Sequence, residues 1–449
     1  MPLVYKSRKN KKTNLGDNSN PSKKQKKFLE DEISSESDFE DDVVKTKEST
    51  VNEEMFESIE EKTLIAEKNL LNKFGLIEDN KKNEMYSTKT NLTVKTSGRY
   101  KLIADSLKIV TDKVFTYRGH RFSPTSVSPS PDGKYLFSCG KDNSVIKYDL
   151  INKKKVSILN KKLTPKFHKH GVNCLAVDPN GKYLATGGSE GIVKLWNLET
   201  MEFVSNLAGH RSGITSLAFR QGADGQLFSA SEDRSIRYWD TNQMGFVDIM
   251  YGHTSTIGKI DILHKPRLLS CGTQDQSVRI FKIGEESQLV YTPHVEATSI
   301  DTVCYLDSTT FASGAIDGSI SIWSSMKKKP ICIQKFAHKN GKNNEDCQTW
   351  ITSLAAIPYS DLIVSGGNNG VINFWKVSND NKKIILITTY YVDGFINDIT
   401  FSNDGEFLFC AVGKDHRFGR WHSIAEAKNH ILIIPLSFGD TKDNENEVE

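Results

Sequence analysis

The sequence has little of what membrane and secreted proteins depend on. No stretch of its 449 residues approaches eighteen consecutive apolar residues, which is the length that a membrane-spanning helix needs. The first residues, MPLVYKSRKNKK, carry charges where a secretory signal would have an apolar run. We therefore expect a soluble, intracellular protein that has no membrane as a partner.

Cysteine is scarce, and its spacing matches neither a disulfide framework nor a zinc site. The seven cysteines make an odd number, none stands in a CxxC pair, and most lie in apolar runs such as LFSCG and VNCLAV. We interpret them as reduced core residues. They are Cys139, Cys174, Cys271, Cys304, Cys332, Cys347 and Cys410.

Signatures of catalysis and of cofactor binding are also missing. The sequence contains neither common glycine-rich phosphate loop, no HExxH and no EF-hand loop. We expect no enzyme activity, no catalytic residue, no cofactor, no metal and no small-molecule substrate. Function must then be binding.

Charge is divided unevenly along the chain. Residues 1–27 hold nine Lys or Arg against one Asp, and residues 30–42 hold eight acids. Residues 1–50 have too few apolar side chains to offset the entropy of ordering, so we expect a disordered tail, basic and then acidic. Its two basic clusters are typical of a bipartite nuclear import signal or, more simply, of a solvated tail. Residues 438–449 predict a second, acidic disordered tail.

Between the tail and the rest of the chain, residues 51–112 predict a helical segment and linker. Apolar residues recur there at spacings near three, four or seven, and Gly75 supplies a stop signal. Helix-like runs continue less clearly to about Val110. The recurring apolar residues are Phe56, Ile59, Ala66, Leu70 and Phe74.

What the sequence does have is a pair of markers that recurs seven times. An acidic or amide residue in a turn signal is followed six residues later by an aromatic residue, and the units are 42 to 52 residues apart. A period of this length is typical of repeat architectures. The pairs are Asp142/Tyr148, Glu190/Trp196, Asp233/Trp239, Asp275/Phe281, Asp317/Trp323, Asn369/Trp375 and Asp415/Trp421.

Each unit is predicted to contain four short strands. The third unit is the clearest, with ITSLAF, LFSAS and IRYWD separated by the turn signals GADG and EDRS. Seven such units predict an all-β fold, a closed seven-bladed β-propeller over residues 113–437. We expect KVFTYR (113–118) to supply the outer strand that closes the ring, with ILIIPL (431–436) beside it or in its place.

The glycine-histidine starts and the aromatic ends resemble the WD-repeat family. The resemblance implies that a His, a strand Ser or Thr, the turn acid and the Trp form a hydrogen-bonded tetrad inside each blade. Blade 4 has Cys271 at the hydroxyl position, and blade 7 lacks the His. The matching sets are His210, Ser229, Asp233 and Trp239; His170, Thr186, Glu190 and Trp196; and His338, Ser365, Asn369 and Trp375.

Two clusters of basic residues are candidate RNA-binding sites. The run KDHRFGRW places cationic side chains beside Phe418 and Trp421, which suits a phosphate backbone with a base stacked next to it. The alternative is a charged surface turn over a core Trp. The second cluster lies between blades 1 and 2, and solvation alone could explain it. The candidates are Lys414, His416, Arg417 and Arg420 in the first cluster and Lys153, Lys154 and Lys155 in the second.

A closer resemblance, to the WD-repeat proteins of the U3 small nucleolar ribonucleoprotein (snoRNP), runs over residues 113–437. It rests on MKKKPICIQKFAH, TWITSLAAIPYSDLIVSGG, GFINDITFSNDGEFL and KDHRFGRW followed by EAKNHILIIPL. The resemblance implies a structural subunit that binds the box B/C region of U3 snoRNA in the nucleolus of the nucleus. Its implied neighbours are the kink-turn-binding core protein and other proteins of the small-subunit processome. The implied role is early pre-rRNA processing toward 18S rRNA and the small ribosomal subunit.

The competing hypothesis is a WD-repeat scaffold that binds only proteins, because one fold serves many functions. A substrate receptor of a ubiquitin ligase and a chromatin reader are the two examples that we consider. RNA that co-purifies with the chain would distinguish the first hypothesis from the second.

Overall fold

The computed structural model describes residues 101–160, 166–293, 299–338, 349–419 and 422–438. The tail over residues 1–50 with its two basic clusters, the predicted helix and residues 439–449 of the predicted acidic tail therefore lie outside the described residues, whereas Phe438 ends a strand. Within the described residues, no helix is long and apolar enough to cross a membrane.

Seven antiparallel sheets confirm the seven-bladed all-β propeller. In each of the first six blades the four strands follow one another in the chain, from the innermost strand to the outermost. Blades 1 and 2 consist of β3 (Pro124–Pro129), β4 (Tyr135–Gly140), β5 (Ser144–Asp149) and β6 (Lys154–Asn160), and of β7 (Val172–Val177), β8 (Tyr183–Gly188), β9 (Ile192–Asn197) and β10 (Phe203–Ala208). Blades 3 and 4 consist of β11 (Ile214–Phe219), β12 (Gln226–Ser231), β13 (Ile236–Asp240) and β14 (Gly245–Met250), and of β15 (Ile257–Asp261), β16 (Arg267–Gly272), β17 (Val278–Lys282) and β18 (Ser287–Tyr291).

The remaining blades complete the ring. Blades 5 and 6 consist of β19 (Ile300–Tyr305), β20 (Thr310–Ala315), β21 (Ile320–Ser324) and β22 (Cys332–Gln334), and of β23 (Ile351–Ala356), β24 (Leu362–Gly367), β25 (Val371–Val377) and β26 (Ile384–Tyr391). Blade 7 consists of β27 (Phe395–Phe401), β28 (Phe407–Gly413) and β29 (His430–Phe438), with β1 (Leu107–Ile109) and β2 (Phe115–Tyr117) on its outer edge. The innermost strands contact one another all the way around, and β27 contacts β3.

The hydrophobic core lies between the blades. Leu227 and Trp239 of blade 3, for example, pack with Cys174, Leu195 and Leu207 of blade 2. A blade of four short strands is too small to be stable alone, so each sheet buries its faces against its two neighbours. This packing explains why nearly every residue of the second strands is buried.

The ring has an upper face and a lower face. The upper face carries the turns between the second and third strands of each blade and the connections from one blade to the next. The lower face carries the other turns, since antiparallel strands reverse direction at each turn.

Both segments predicted to close the ring take part, side by side. Strand β29 pairs with β28 as the third strand of blade 7, and β2 pairs with β29 as the outer strand. Tyr117 then links blade 7 to blade 1, because its ring stacks on Tyr148 with 4.5 Å between centroids. Its hydroxyl also donates to the backbone oxygen of Asp149 at 2.9 Å. The ring is therefore closed by strand β2, which precedes blade 1 in the chain.

The prediction that helix-like runs continue to about Val110 is wrong for the residues that the structure describes. Residues 107–109 form strand β1, and residues 111–113 form a single 3-10 turn, η1. Leu107 and Ile109 pair with Phe438 and Leu436 at the end of β29. An open sheet edge next to the segment offers backbone partners that an isolated short helix would lack.

Candidate nucleic-acid interface

The polar tetrad of blade 3 forms a chain of short hydrogen bonds. Nδ1 of His210 lies 2.9 Å from Asp233 Oδ2, and its Nε2 lies 2.8 Å from Ser229 Oγ. The indole N–H of Trp239 donates to the same Ser229 oxygen at 2.8 Å. Burial acts to raise the pKa of Asp233, but hydrogen bonds from His210, Ser235 and the backbone N–H of Arg211 outweigh it and lower the pKa.

In blade 2 the tetrad histidine is not the one that the sequence predicted. His168, not His170, bridges Glu190 at 2.7 Å and Thr186 at 2.9 Å, while His170 is exposed. Trp196 donates to Thr186 at 2.9 Å, so the other three members are as predicted. The signal was present in the sequence, because the tetrad histidines of the neighbouring blades precede the turn acid by 22 or 23 residues and His170 precedes it by only about 20.

Blade 4 needs a similar correction. Ser270, and not Cys271, binds Nε2 of His253 at 2.7 Å. Ser270 pairs with Arg279 on the next strand, as Ser229 pairs with Arg237 in blade 3, so the strand register identifies the equivalent residue. Blade 4 therefore has the hydroxyl that it was expected to lack.

Blade 6 keeps its predicted polar set, with one exchange of partners. His338 Nε2 lies 2.7 Å from Ser365 Oγ, and Trp375 donates to the same oxygen at 2.8 Å. Asn369 donates to the backbone oxygen of His338 and not to its ring. Burial lowers the pKa of His338 to about 4.

The third strand of blade 7 lies further along the chain than the seventh marker pair predicts. Strand β28 ends at Gly413, and the third strand of blade 7 begins only at His430. The residues between them, 414–429, form a connection on the upper face that we call the seventh-blade loop. Arg420 and Trp421 lie in its part outside the described residues, as do residues 339–348 of the insertion before Trp350.

The seventh-blade loop is fixed to its neighbours through its backbone. The ammonium of Lys141 in blade 1 donates to the backbone oxygens of His416 and of Gly419, the latter at 2.7 Å. The N–H of Asp415 donates to Ser123 Oγ at 2.9 Å. Asn429 accepts from the N–H of Lys414 at 2.8 Å, so the loop is closed at its base.

Two predicted RNA contacts in this loop are not exposed, since His416 is half-buried and Arg417 is buried. His416 packs near Trp350, Phe395 and Phe418, and burial together with the charges of Arg417 and Lys141 lowers its pKa to about 3. His416 is therefore uncharged near neutral pH, and it does not supply the cationic side chain that its sequence suggested.

Arg417 points inward. It is only 9% exposed, and its charge acts on Cys174 of blade 2, Cys271 of blade 4 and Asp301 of blade 5. Its effect on three separate blades indicates that the guanidinium faces the interior of the ring. The expectation that Arg417 presents its charge on a surface turn is corrected by this burial. Lys414 is half-buried.

The second predicted cluster lies on the opposite face. Lys153, Lys154 and Lys155 are exposed at the turn between β5 and β6, where Lys153 places its ammonium 4.7 Å from the ring centre of Phe115. Lys141, which holds the seventh-blade loop, is at the other end of β5. One short RNA segment would not contact both clusters.

Sequence reasoning missed a set of cations on the upper face. Arg121, Lys169 and Arg211 directly follow the tetrad histidines of blades 1, 2 and 3, and all three are exposed. The backbone N–H groups of Arg121 and Arg211 donate to the turn carboxylates of Asp142 and Asp233, at 2.9 and 3.0 Å. The tetrads thus fix the backbone from which these cations project. The sequence signal for these cations was a Lys or Arg directly after the tetrad histidine of each of these blades.

Comparison with known proteins agrees with this fold. The family "WD domain, G-beta repeat" matches residues 111–149, 161–197, 201–240 and 332–376. The human protein named U3 small nucleolar RNA-interacting protein 2 is 31% identical over 343 residues, which is 75% of this chain and 72% of that protein. The Arabidopsis thaliana U3 snoRNP-associated protein-like EMB2271 is 33% identical over 251 residues, 54% of this chain and 52% of that protein. The chain thus spans about half the length of some of the curated relatives that it matches.

Solved structures give the same result. The structure of U3-55K has 34% sequence identity and a TM-score of 0.70, and the match covers 73% of this chain and 100% of that one. A crystal structure of the RRP9 WD40 repeats has the same identity and TM-score, with 74% of this chain and 100% of that one covered. Together with the propeller and its tetrads, these similarities show that the chain belongs to the family of WD-repeat proteins associated with the U3 snoRNP.

Proposed function

We propose that this chain is a non-catalytic structural subunit of the U3 snoRNP that binds U3 snoRNA through the upper face of its propeller. It would act in the nucleolus, in the pre-rRNA processing that leads to 18S rRNA. The names of the relatives support the particle and the process. The box B/C region as the binding site, and the kink-turn-binding protein as a neighbour, are expectations carried over from the family.

The observation that carries RNA binding is the arc of exposed cations on the upper face. Arg121, Lys169 and Arg211 come from three successive blades, at equivalent positions. Their spacing is therefore set by the rotation from blade to blade, and an RNA backbone that follows the rim meets one cation per blade. Phosphate contacts of this kind supply most of the affinity of proteins for nucleic acids.

The other candidate residues take different places in this proposal. Lys414 stands at the base of the seventh-blade loop, within reach of the arc. Lys153 to Lys155 would need a second RNA segment or a protein of the particle, because they lie on the lower face. Arg417 is buried and His416 is uncharged near neutral pH, so neither is proposed as a phosphate contact.

The hydrogen bonds of the buried polar residues support a non-catalytic role. The His, Ser and Asp side chains that could suggest a catalytic triad bind one another in the buried tetrad of blade 3, where they serve as structural partners. Within the described ranges, no three His, Cys, Asp or Glu side chains are grouped as metal ligands would be.

The test is to sequence the RNA that is crosslinked to the tagged full chain after stringent purification. We expect one abundant box C/D RNA, and we expect the triple variant R121A/K169A/R211A to recover much less of it. The matched control K327A/K328A/K329A removes three exposed lysines from the lower face and should recover the normal amount. Recovery of a cullin adaptor and no enriched RNA would favour the protein-only scaffold.

A further inference from the structure

Exposed aromatic side chains are concentrated on the upper face. Among the described residues, six Phe or Tyr side chains are exposed, and only Phe246 stands near a lower end of a blade. An aromatic ring in water loses the burial that normally stabilises it, so a cluster of such rings on one face indicates a partner. The five upper-face rings belong to Phe122, Tyr251, Phe336, Tyr391 and Phe418.

Three of these rings directly follow a cation in the sequence. Arg121 precedes Phe122, Lys335 precedes Phe336, and Arg417 precedes Phe418. The guanidinium of Arg121 lies 5.6 Å from the ring centre of Phe122, and that of Arg417 lies 4.5 Å from the ring centre of Phe418. Arg121 and Lys335 are exposed beside their rings, so aromatic and cationic groups adjoin on the surface that carries the cation arc, whereas Arg417 is buried beside Phe418.

We propose that the upper face binds unpaired nucleotides, whose bases stack on Phe122 and Phe418 while the neighbouring cations hold the phosphates. This inference rests on the proposed RNA binding and adds the class of RNA. An unpaired base exposes both of its faces, whereas a base inside a duplex hides them against its neighbours. Stacking on exposed rings thus selects single-stranded RNA or an internal loop over a continuous helix.

The two rings are held on segments that are tied together. Ser123, next to Phe122, accepts a hydrogen bond from the N–H of Asp415, and the backbone oxygen of Arg121 accepts one from Asn429 at 3.2 Å. The short segment that carries Phe122 is therefore fixed to the loop that carries Phe418. A platform that is already ordered loses less entropy when RNA binds.

The charge of the surroundings favours RNA over a protein segment. The exposed rings of Phe122 and Phe336 each adjoin an exposed cation, and Arg211 and Lys169 extend the positive surface along the rim. A phosphate next to each stacked base matches this arrangement, because the nucleotide repeats a base and a negative charge at every step.

The experiment is a titration of the purified full chain with three fluorescent probes: oligoadenylate and oligouridylate about 12 nucleotides long, and an RNA duplex of similar length. The variant F122A/F418A should lose about a hundredfold in affinity for the single strands, since it removes two rings and each stacked base contributes about tenfold. The conservative variant F122Y/F418Y keeps both rings and should bind normally. F246A removes a ring from the other face that is 50% exposed, against 43% for Phe122 and 38% for Phe418, and serves as the matched control.

The outcomes separate this inference from the proposed function. Stacking is supported if the alanine variant loses single-strand affinity with an unchanged salt dependence and an unchanged unfolding midpoint. It is overturned if that variant binds normally while R121A/R211A binds weakly, and RNA binding would then stand without stacking. It is also overturned if the alanine variant keeps its RNA affinity but loses a co-purifying protein. If the unmodified chain binds none of the probes and no cellular RNA, both proposals fail.

Discussion

At the scale of single residues, a histidine in this ring is defined by its hydrogen-bond partners. His168 and His170 are two positions apart, yet His168 is buried between Glu190 and Thr186 and His170 faces water. A residue that lies in a buried polar chain cannot be removed without leaving its partners unsatisfied.

This difference gives a paired prediction. His168→Ala should lower the free energy of unfolding by about 1–3 kcal/mol, because it orphans the Glu190 and Thr186 groups. His170→Ala should change it by less than about 0.5 kcal/mol, as is usual for an exposed side chain. Urea denaturation followed by tryptophan fluorescence measures both values. Equal effects of the two substitutions would contradict the corrected tetrad.

His338 predicts a dependence of stability on pH. Burial lowers its pKa to about 4 in the folded protein, whereas an unfolded chain has the ordinary value of 6.5. Between these values the unfolded state binds a proton that the folded state does not, so stability is complete above pH 6.5 and falls as the pH drops toward 4. The urea midpoint should therefore decrease over this window, and His338→Gln should reduce the decrease. A variant with the full decrease would show that His338 does not contribute.

At the scale of secondary-structure elements, the sequence predicted the strands that follow from the period of the repeats. It did not predict the features that depend on how the strands pair with one another. The strands of blades 1 to 6 and their turn residues follow from alternation and spacing. The third strand of blade 7 does not, since the chain passes Asp415 and continues to His430 before it returns to the sheet. Ser270 and Cys271 differ in role only through the register of one strand pair.

The candidate site was predictable only in part for the same reason. The sequence placed four cationic candidates in the KDHRFGR run, but charge alone does not tell a side chain that reaches solvent from one that is buried. Arg417 is buried, and the loop that carries it is held by Lys141 and Ser123. These contacts join residues almost 300 positions apart, which no local pattern reveals.

The closing strand β2 supports a prediction at this scale. Tyr117→Ala removes the stack on Tyr148 and the hydrogen bond to Asp149, so it should lower the free energy of unfolding by about 3 kcal/mol. Thr116→Ala, at the exposed neighbouring position, keeps the strand and should have little effect. Thermal unfolding followed by circular dichroism compares the two. A Tyr117→Ala variant of unchanged stability would mean that these side-chain contacts do not stabilise the closed ring.

The seventh-blade loop makes a second prediction. Lys141→Met removes the donor to the backbone oxygens of His416 and Gly419, so the loop should open more often while the blades stay folded. Hydrogen exchange should accelerate for the amides of residues 414–419 and should not change in β28. Lys134→Met, on the lower face, is the control and should alter neither. Unchanged exchange in the Lys141 variant would show that the loop is held by its other contacts.

At the scale of the whole molecule, the ring separates structure from recognition. Tetrads and inter-blade cores occupy the interior, and the residues that remain for a partner stand on the faces. The upper face combines the cation arc, the exposed rings and the seventh-blade loop, whereas Lys153 to Lys155 and Lys327 to Lys329 lie on the lower face. The proposal that U3 snoRNA binds the upper face therefore depends on which set of charges the RNA neutralises.

The most direct test measures the affinity of the full chain for U3 snoRNA over a range of salt concentrations. The RNA comes from the same organism as the protein. Each phosphate contact contributes about 0.7 to the slope of log affinity against log salt for single strands. The account predicts that R121A/K169A/R211A lowers this slope by about 2, while K327A/K328A/K329A leaves it unchanged. Equal slopes for the unmodified chain and the upper-face variant, or a loss confined to the lower-face variant, would contradict it.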